Sequence, residues 1–274
     1  MTSAKFRALV WRHYRSRGRH TLPWRGTYDM YRILVSEVML QQTQVERVIP
    51  FYTEFIKKFP TAKKLAHASL SAVLKSWQGL GYNRRAKMLH AAAKELASRK
   101  ISSVSELETL PGVGPYTARA VAAFALNTDV IFVETNIRTV IIHHFFPKKK
   151  KVSDTEIEKV LAQVLPKGKA RAWYSALMDY GAFLKRSGIS HNTKSKTYVK
   201  QSKFSGSLRE ARGAILREFT SGVTSRTRLT NVLGPSRKAQ MQVALEALVA
   251  EGLLNESLLS KVPLKRQRSQ QIRP

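Results

Sequence analysis

Two carboxylates stand where acid–base chemistry is possible. Glu37 lies beside Val35, Val38 and Met39, in the run Ser36-Glu-Val-Met-Leu-Gln-Gln-Thr43. A carboxyl among apolar side chains has its ionised form disfavoured, so its pKa rises and it can hold a proton near neutral pH and donate it. The same glutamate also fits the solvent face of an amphipathic helix, where it would do nothing. Glu134 follows the short apolar run 130–133 and stands just before Asn136, where a helix is expected to open. There a carboxylate can be aimed into a cleft, or can simply sit at a helix N-terminus stabilised by the dipole. Two carboxyls in different surroundings can divide labour. One protonates a leaving group while the other stays ionised and stabilises a cationic sugar, as in glycoside cleavage. Spacing alone does not bring them into one cleft.

The stretch around which the chain is organised is Leu110-Pro-Gly-Val-Gly-Pro-Tyr-Thr117 and the apolar run that follows it to Leu126. It reads as the turn and second helix of a helix–hairpin–helix, with 103–109 as the short first helix. Gly112 and Gly114 permit positive φ and close backbone approach to another molecule. Pro115 suits a first helical position, and the unpaired N–H groups of a helix start can hold a phosphate. A plain turn between two core helices has the same pattern.

The remaining elements are helical. Apolar spacing predicts helices over 5–15, 28–41, 82–99, 136–144, 154–165 and 170–184, with short ones over 61–66 and 70–77. Thr27 is a plausible cap for the second helix, and Thr43-Gln-Val-Glu46 has the form of a capping box opening the next one, to about 57. From 185 to 203 there are six Lys or Arg, no acid, and many Ser, Thr and Asn, which suggests a basic loop. Beyond it, 208–220, 224–233 and 236–251 form a three-helix pattern. The stretches 252–256 and 258–262 are expected as the strands of a small wing, which together resemble a winged helix. Residues 265–274 look like a disordered basic tail. The division expected is a core over 1–184, a basic linker over 185–206, a winged-helix-like domain over 207–264 and the tail.

The chain has 274 residues, 43% of them hydrophobic, with 48 Lys and Arg against 18 Asp and Glu, a net charge of +30. So basic a chain expects a polyanion, and nucleic acid is the first candidate. It contains no cysteine. Disulfides, thiolate zinc sites and a Cys-ligated iron–sulfur cluster are thereby excluded. No apolar run approaches the length of a membrane span, and no secretory signal is apparent. His143 and His144 lack ligand-like neighbours, so they read as structural and no metal site is expected.

Taken together, Leu22-Pro-Trp-Arg25, Ser36-Glu-Val-Met-Leu-Gln-Gln-Thr-Gln-Val45, Gly79-Leu-Gly-Tyr82, Arg85-Ala86, Leu89-His90, Leu110-Pro-Gly-Val-Gly-Pro-Tyr-Thr117, Asn136-Ile-Arg138 and Met178-Asp-Tyr-Gly-Ala182 occur in an order that resembles the MutY adenine-DNA glycosylases. The resemblance covers about residues 5–184. It implies the two-lobed, all-α fold of the helix–hairpin–helix glycosylases and cleavage of the N-glycosidic bond of adenine paired with 8-oxoguanine or G. It makes Glu37 the catalytic acid, with Glu134, Tyr116 and Asn136 completing the catalytic set. Gln41, Gln42, Tyr82 and Arg25 line the base pocket or probe the lesion. Gly112, Val113, Gly114 and Thr117 grip phosphate, with Arg85, Lys194 and Lys196 as further phosphate contacts. Arg84, Lys87 and Lys200 are candidates of the same kind, as are Arg237 and Lys238 at the start of the last long helix.

The sequence departs from that pattern in places. Tyr116 stands where the bifunctional endonuclease III relatives carry a Schiff-base lysine, so base excision without an efficient lyase step is expected. The family has Asp just before its Gly-Asn, and this chain has Glu134-Thr-Asn136, one methylene longer. The family's four-Cys loop is replaced by a Cys-free basic one, so no cofactor is expected. Its Nudix-like end is replaced by the winged-helix pattern, and Asn83 stands where a second Tyr is common. The expected partner is double-stranded DNA carrying a mismatch, bound by a monomer, with no membrane, in a prokaryotic cytoplasm at the nucleoid. Two rivals remain: a glycosylase of the same superfamily for uracil or thymine mismatches, and a non-catalytic DNA-binding protein.

Overall fold

The computed structural model describes residues 1–196 and 203–259. Among them the only β pairing is an isolated parallel bridge between Val152 and Ser195, and the rest is helix and loop, so the all-α expectation holds. The helices are α1 (Ser3–Arg17), α2 (Met30–Leu40), α3 (Val45–Lys58), α4 (Ala62–Ala66), α5 (Leu70–Trp77), α6 (Arg84–Ser98) and α7 (Val104–Glu108). They are followed by α8 (Pro115–Val121), α9 (Thr135–Phe145), α10 (Asp154–Val164), α11 (Ala170–Arg186), α12 (Leu208–Thr220), α13 (Arg226–Asn231) and α14 (Lys238–Ala250). No helix among the described residues is long and apolar enough to cross a membrane.

The described residues fall into two compact units, one from 1–68 and 88–196, the other from 69–87 and 203–259. The segment 69–87, which the sequence reading leaves inside the core, thus clusters with the C-terminal helices, and the division falls inside α6.

In the first unit α11 is the central element, packed against α9 and α1. Trp173 and Tyr174 on α11 are fully buried, Phe6 of α1 meets Trp173 edge-on at 6.0 Å, and Phe132 stacks on Tyr174 at 4.0 Å. The close fit of α11 to α9 depends on Gly181, because a Cβ there would lie 2.3 Å from the Asn136 carbonyl oxygen. The hairpin forms as expected: α7 opens with a capping box between Ser103 and Glu106, Gly112 takes φ +76°, and Pro115 is the first residue of α8. Met88 occupies the space a Cβ on Gly112 would need. Gly114 does not use its conformational freedom, its φ being −86°. The helix then continues through a π-helical turn, Ala122–Leu126.

Two caps differ from expectation. Asp29, not Thr27, caps α2: its carboxylate accepts from the Arg32 N–H at 2.8 Å, while Thr27 accepts from the Asp29 N–H one turn earlier. Thr43 forms no capping box. Gln42 adopts φ +57°, the Thr43 hydroxyl is drawn back to donate to the Gln41 carbonyl, and α3 starts after Gln44 without a side-chain cap.

In the second unit α12 packs on α14 and on α5, and α13 packs on α14, so the three-helix pattern is present. The wing is not. Gly252 takes φ +62° and its N–H donates to the Val249 carbonyl, closing a turn after α14, and Glu256–Leu258 is a 3₁₀ turn in place of strand. With no partner strand to pair with, the apolar side chains of Leu253, Leu254 and Leu259 are buried without forming a ladder. Residues 260–262 of the expected second strand, the tail 265–274 and Lys200 lie outside the described residues.

Candidate active site

Glu37 sits on a helix whose side chains are buried at Tyr31 and from Ile33 to Met39, a largely apolar stretch that leaves the glutamate 7% exposed. Burial raises its pKa to about 7, helped by the nearby Glu134 charge, against the opposing influence of the Tyr116 hydrogen bond and Arg25. The Tyr116 hydroxyl donates to Glu37 Oε2 at 3.4 Å, and burial pushes the phenol well above its ordinary pKa. The solvent-face alternative for Glu37 is therefore set aside.

Glu134 is the N-cap of α9. Its Oε2 accepts from the Asn136 N–H at 2.7 Å, and its Oε1 accepts from Asn136 Nδ2 at 3.0 Å and from the Thr135 hydroxyl at 2.6 Å. Three donors thus converge on one carboxylate and fix its position. The longer Glu side chain folds back onto the amide two residues on. Glu37, Tyr116, Glu134, Asn136, Arg25, Gln41 and Gln42 all line one cavity of about 880 Å³. The structure thus brings together the two carboxylates that spacing left apart.

Several residues lining or supporting this cavity carry no clear signal in the sequence. Asp179, 1% exposed, accepts from the Arg19 N–H at 2.9 Å, Arg19 Nε at 2.7 Å and Arg25 Nη2 at 3.1 Å. It thereby fixes Arg25, whose Nη1 is buried with no hydrogen-bond partner. Arg171 donates to the carbonyls of Arg25 and Thr27, both at 2.7 Å, and to that of Phe124. It pins the loop that presents Arg25 to the end of the hairpin helix, and its guanidinium lies 3.9 Å from the Tyr28 ring centre. Lys185 also lines the cavity. Burial lowers its pKa, with Glu134 acting the other way. A lone Asp inside the apolar block at 176–182 was the one signal for this network; Arg171 had none.

The hairpin presents Gly112, Gly114 and Pro115 at the surface. Two of the expected phosphate contacts are otherwise engaged. The Val113 N–H donates to the Leu110 carbonyl at 3.0 Å, and Thr117 is buried with its hydroxyl accepting from Gln41 Nε2 at 3.3 Å. Lys194 Nζ donates to the Pro147 carbonyl at 2.9 Å and ties down its own loop, while Lys196 is exposed. His143 shares a hydrogen bond with His191 at 3.3 Å and His144 with the Tyr180 hydroxyl at 2.9 Å, consistent with a structural role.

Tyr82 and Arg85 belong to the second unit. Tyr82 stands in the loop before α6 with φ +48°. Arg85, expected on phosphate, turns inward instead: its Nη2 donates to the Leu80 and Gly81 carbonyls, both at 3.2 Å, and burial lowers its pKa to about 10. On the C-terminal helices Arg237 is held by Glu210 at 2.7 Å.

Comparison with known proteins gives the family and the fold. The family model of the HhH-GPD superfamily base excision DNA repair protein matches residues 35–167. An adenine DNA glycosylase of Mycolicibacterium smegmatis is 36% identical over 261 residues, spanning 87% of this chain and 89% of that one. One from Mycobacterium tuberculosis is 45% identical over 130 residues, 46% of this chain and 43% of its own. Among solved structures, a thermostable thymine-DNA glycosylase superposes with a TM-score of 0.57 at 25% identity, covering 66% of this chain and 86% of that chain. A non-covalent endonuclease III–DNA complex shares the fold with a TM-score of 0.53 at 20% identity, covering 67% and 86%.

Proposed function

Because the chain belongs to the HhH-GPD superfamily of base excision DNA repair proteins, we propose that it is a monofunctional DNA glycosylase that removes adenine mispaired with 8-oxoguanine or G in double-stranded DNA. The observation that carries this reading is the buried Glu37, protonated up to about pH 7 and facing a cavity shared with the Glu134 carboxylate.

In this reading a flipped adenine enters the cavity. The cost of unstacking it is a few kcal/mol, offset by contacts of a basic surface with phosphates. Glu37 gives its proton to a ring nitrogen of the adenine. The N-glycosidic bond then breaks with its electron pair leaving on the base, and positive charge develops at C1′ of the sugar. Glu134, held in place by Asn136 and Thr135, stabilises that charge. Water adds at C1′ and its proton passes to a carboxylate. Arg25, held by Asp179 and Arg171, supplies a donor to the bound base. Tyr116 carries no amine, which supports hydrolysis over a Schiff-base route, and a chain without cysteine supports a cluster-free enzyme.

The test is single-turnover base release from duplexes carrying A opposite 8-oxoguanine, A opposite G, T opposite G and U opposite G, with wild type, Glu37→Gln and Glu134→Gln run together. Adenine release that disappears in Glu37→Gln is the expected result. Release of T or U alone moves the protein to the specificity named in its thymine-directed structural relative, and binding without any release leaves a non-catalytic DNA-binding protein.

A further inference from the structure

The second unit carries a row of alternating rings and guanidinium groups that the base-release reading does not use. Its inner end is Trp77, fully buried, with its indole N–H donating to the Gly81 carbonyl at 3.1 Å. The Arg85 guanidinium follows, 5.5 Å from the Trp77 ring centre and 5.4 Å from that of Tyr82. On the far side Arg209 lies 5.4 Å from the Tyr82 ring and 5.9 Å from that of Phe204, and its Nη1 donates to the Tyr82 hydroxyl at 3.1 Å. The outer end is Phe204, 58% exposed.

Phe204 is exposed by construction. It opens a type II turn: the Ser207 N–H donates to the Phe204 carbonyl at 3.1 Å, with Gly206 at φ +77° in the position that requires it. Ser207 then caps α12. Glu210 accepts from the Gly206 N–H at 2.8 Å and from Arg237 at 2.7 Å, and Gln240 donates to the Gly206 carbonyl at 2.9 Å. A loop tied from three side chains would be expected to bury its one large apolar group, and this one presents it. Lys203, the residue before Phe204, is exposed, and Arg209 lies against the ring.

We infer that Phe204, backed by Arg209, is a stacking surface for a nucleobase of double-stranded DNA, with Arg209 as its positioning group. Planar rings and guanidinium planes bind base faces without reading sequence, and a pre-ordered ring loses little entropy on binding. The occupant is a base rather than an apolar protein segment because the exposed ring is flanked by the cations Lys203 and Arg209, which suit a polyanion. This rests on the duplex-DNA reading above.

The experiment measures binding of a DNA duplex with a tetrahydrofuran abasic site opposite G, flanked by 2-aminopurine, read by anisotropy and by aminopurine fluorescence. Phe204→Ala is expected to weaken binding about tenfold, the scale of one lost base–aromatic stack, and to change the aminopurine signal. Phe204→Leu, apolar but not aromatic, should behave like Phe204→Ala, and Phe204→Trp like wild type. Arg209→Lys, which keeps the charge, should also weaken binding. The salt dependence should be the same in the Phe204 variants and wild type, since no phosphate contact is removed. The melting temperature of Phe204→Ala should match wild type because the ring is mostly exposed. Unaltered affinity in Phe204→Ala, or full rescue by Leu, overturns the inference. If Glu37→Gln still abolishes adenine release in that case, the functional reading stands and only the stacking surface is lost. Wild type that fails to bind the duplex overturns both.

Discussion

The Tyr116 hydroxyl reaches Glu37 across 3.4 Å, linking the first turn of α8 to the buried face of α2. The hairpin that begins with Gly112 and the acid on α2 are thus one mechanical unit. A displacement of α8 moves the hydrogen bond that orients the acid.

The first prediction concerns pH and stability. Glu37 has a folded-state pKa near 7, above the 4.5 of an ordinary Glu, so the folded protein holds a proton that the unfolded chain has lost between those values. Stability contributed by the neutral form is complete below pH 4.5 and falls as pH rises toward 7. Glu37→Gln removes this loss. The variant should be more stable than wild type at pH 8, by on the order of 3 kcal/mol at 1.36 kcal/mol per unit, and equal to it near pH 4. Urea melts at the two pH values check this.

The same group sets the rate profile. As an acid it must be protonated, so single-turnover adenine release should fall about tenfold per unit once pH exceeds roughly 7. A rate that rises through that range would assign Glu37 the role of a base.

Glu134→Gln keeps an acceptor for the Asn136 N–H, so it should cost less than about 1 kcal/mol of stability, as expected for a cap retained in part. It should lower the rate of adenine release at least a hundredfold by removing the charge, the scale of lost electrostatic stabilisation. Thermal melting and single-turnover rates on one preparation separate the two effects.

Gly181→Ala would place a methyl 2.3 Å from the Asn136 carbonyl oxygen. The expected result is a loss of about 1–3 kcal/mol, the range for overpacking, with reduced activity because the N-terminus of α9 carries Glu134. Chemical denaturation gives the first number and base release the second.

Asp179→Asn leaves two guanidinium groups facing an uncharged amide in a site that is 1% exposed. Breaking a buried pair from one side should cost about 3–5 kcal/mol. An unfolding midpoint indistinguishable from wild type would contradict the placement of Arg19 and Arg25 on this carboxylate.

The one-dimensional features of the molecule were legible along the chain. The helical periodicity of α1, α2 and α11, the hairpin with Pro115 at its helix start, and the apolar surroundings of Glu37 all follow from residues close in sequence. Where two local signals competed, the reading went astray. Thr27 lost the cap of α2 to Asp29, whose carboxylate is the stronger acceptor at the right spacing. Thr43-Gln-Val-Glu46 failed as a capping box because the turn at Gln42 pulled the Thr hydroxyl backward. The first expected wing strand failed because Leu253 and Leu254 are buried within a turn, without pairing to a strand.

The sequence by itself determined the helical class, the basic charge that calls for a polyanion, the absence of thiolate ligands and the identities of the two carboxylates. Those depend on composition and on contacts within one helical turn, which the local chain dictates. Only the tertiary structure decided that Glu37 and Glu134, 97 positions apart, line one cavity, that Asp179 and Arg171 hold Arg25 there, and that residues 69–87 join the C-terminal helices. Each of these depends on which faces of distant helices are buried together, and burial is a property of the packed molecule that no local spacing encodes.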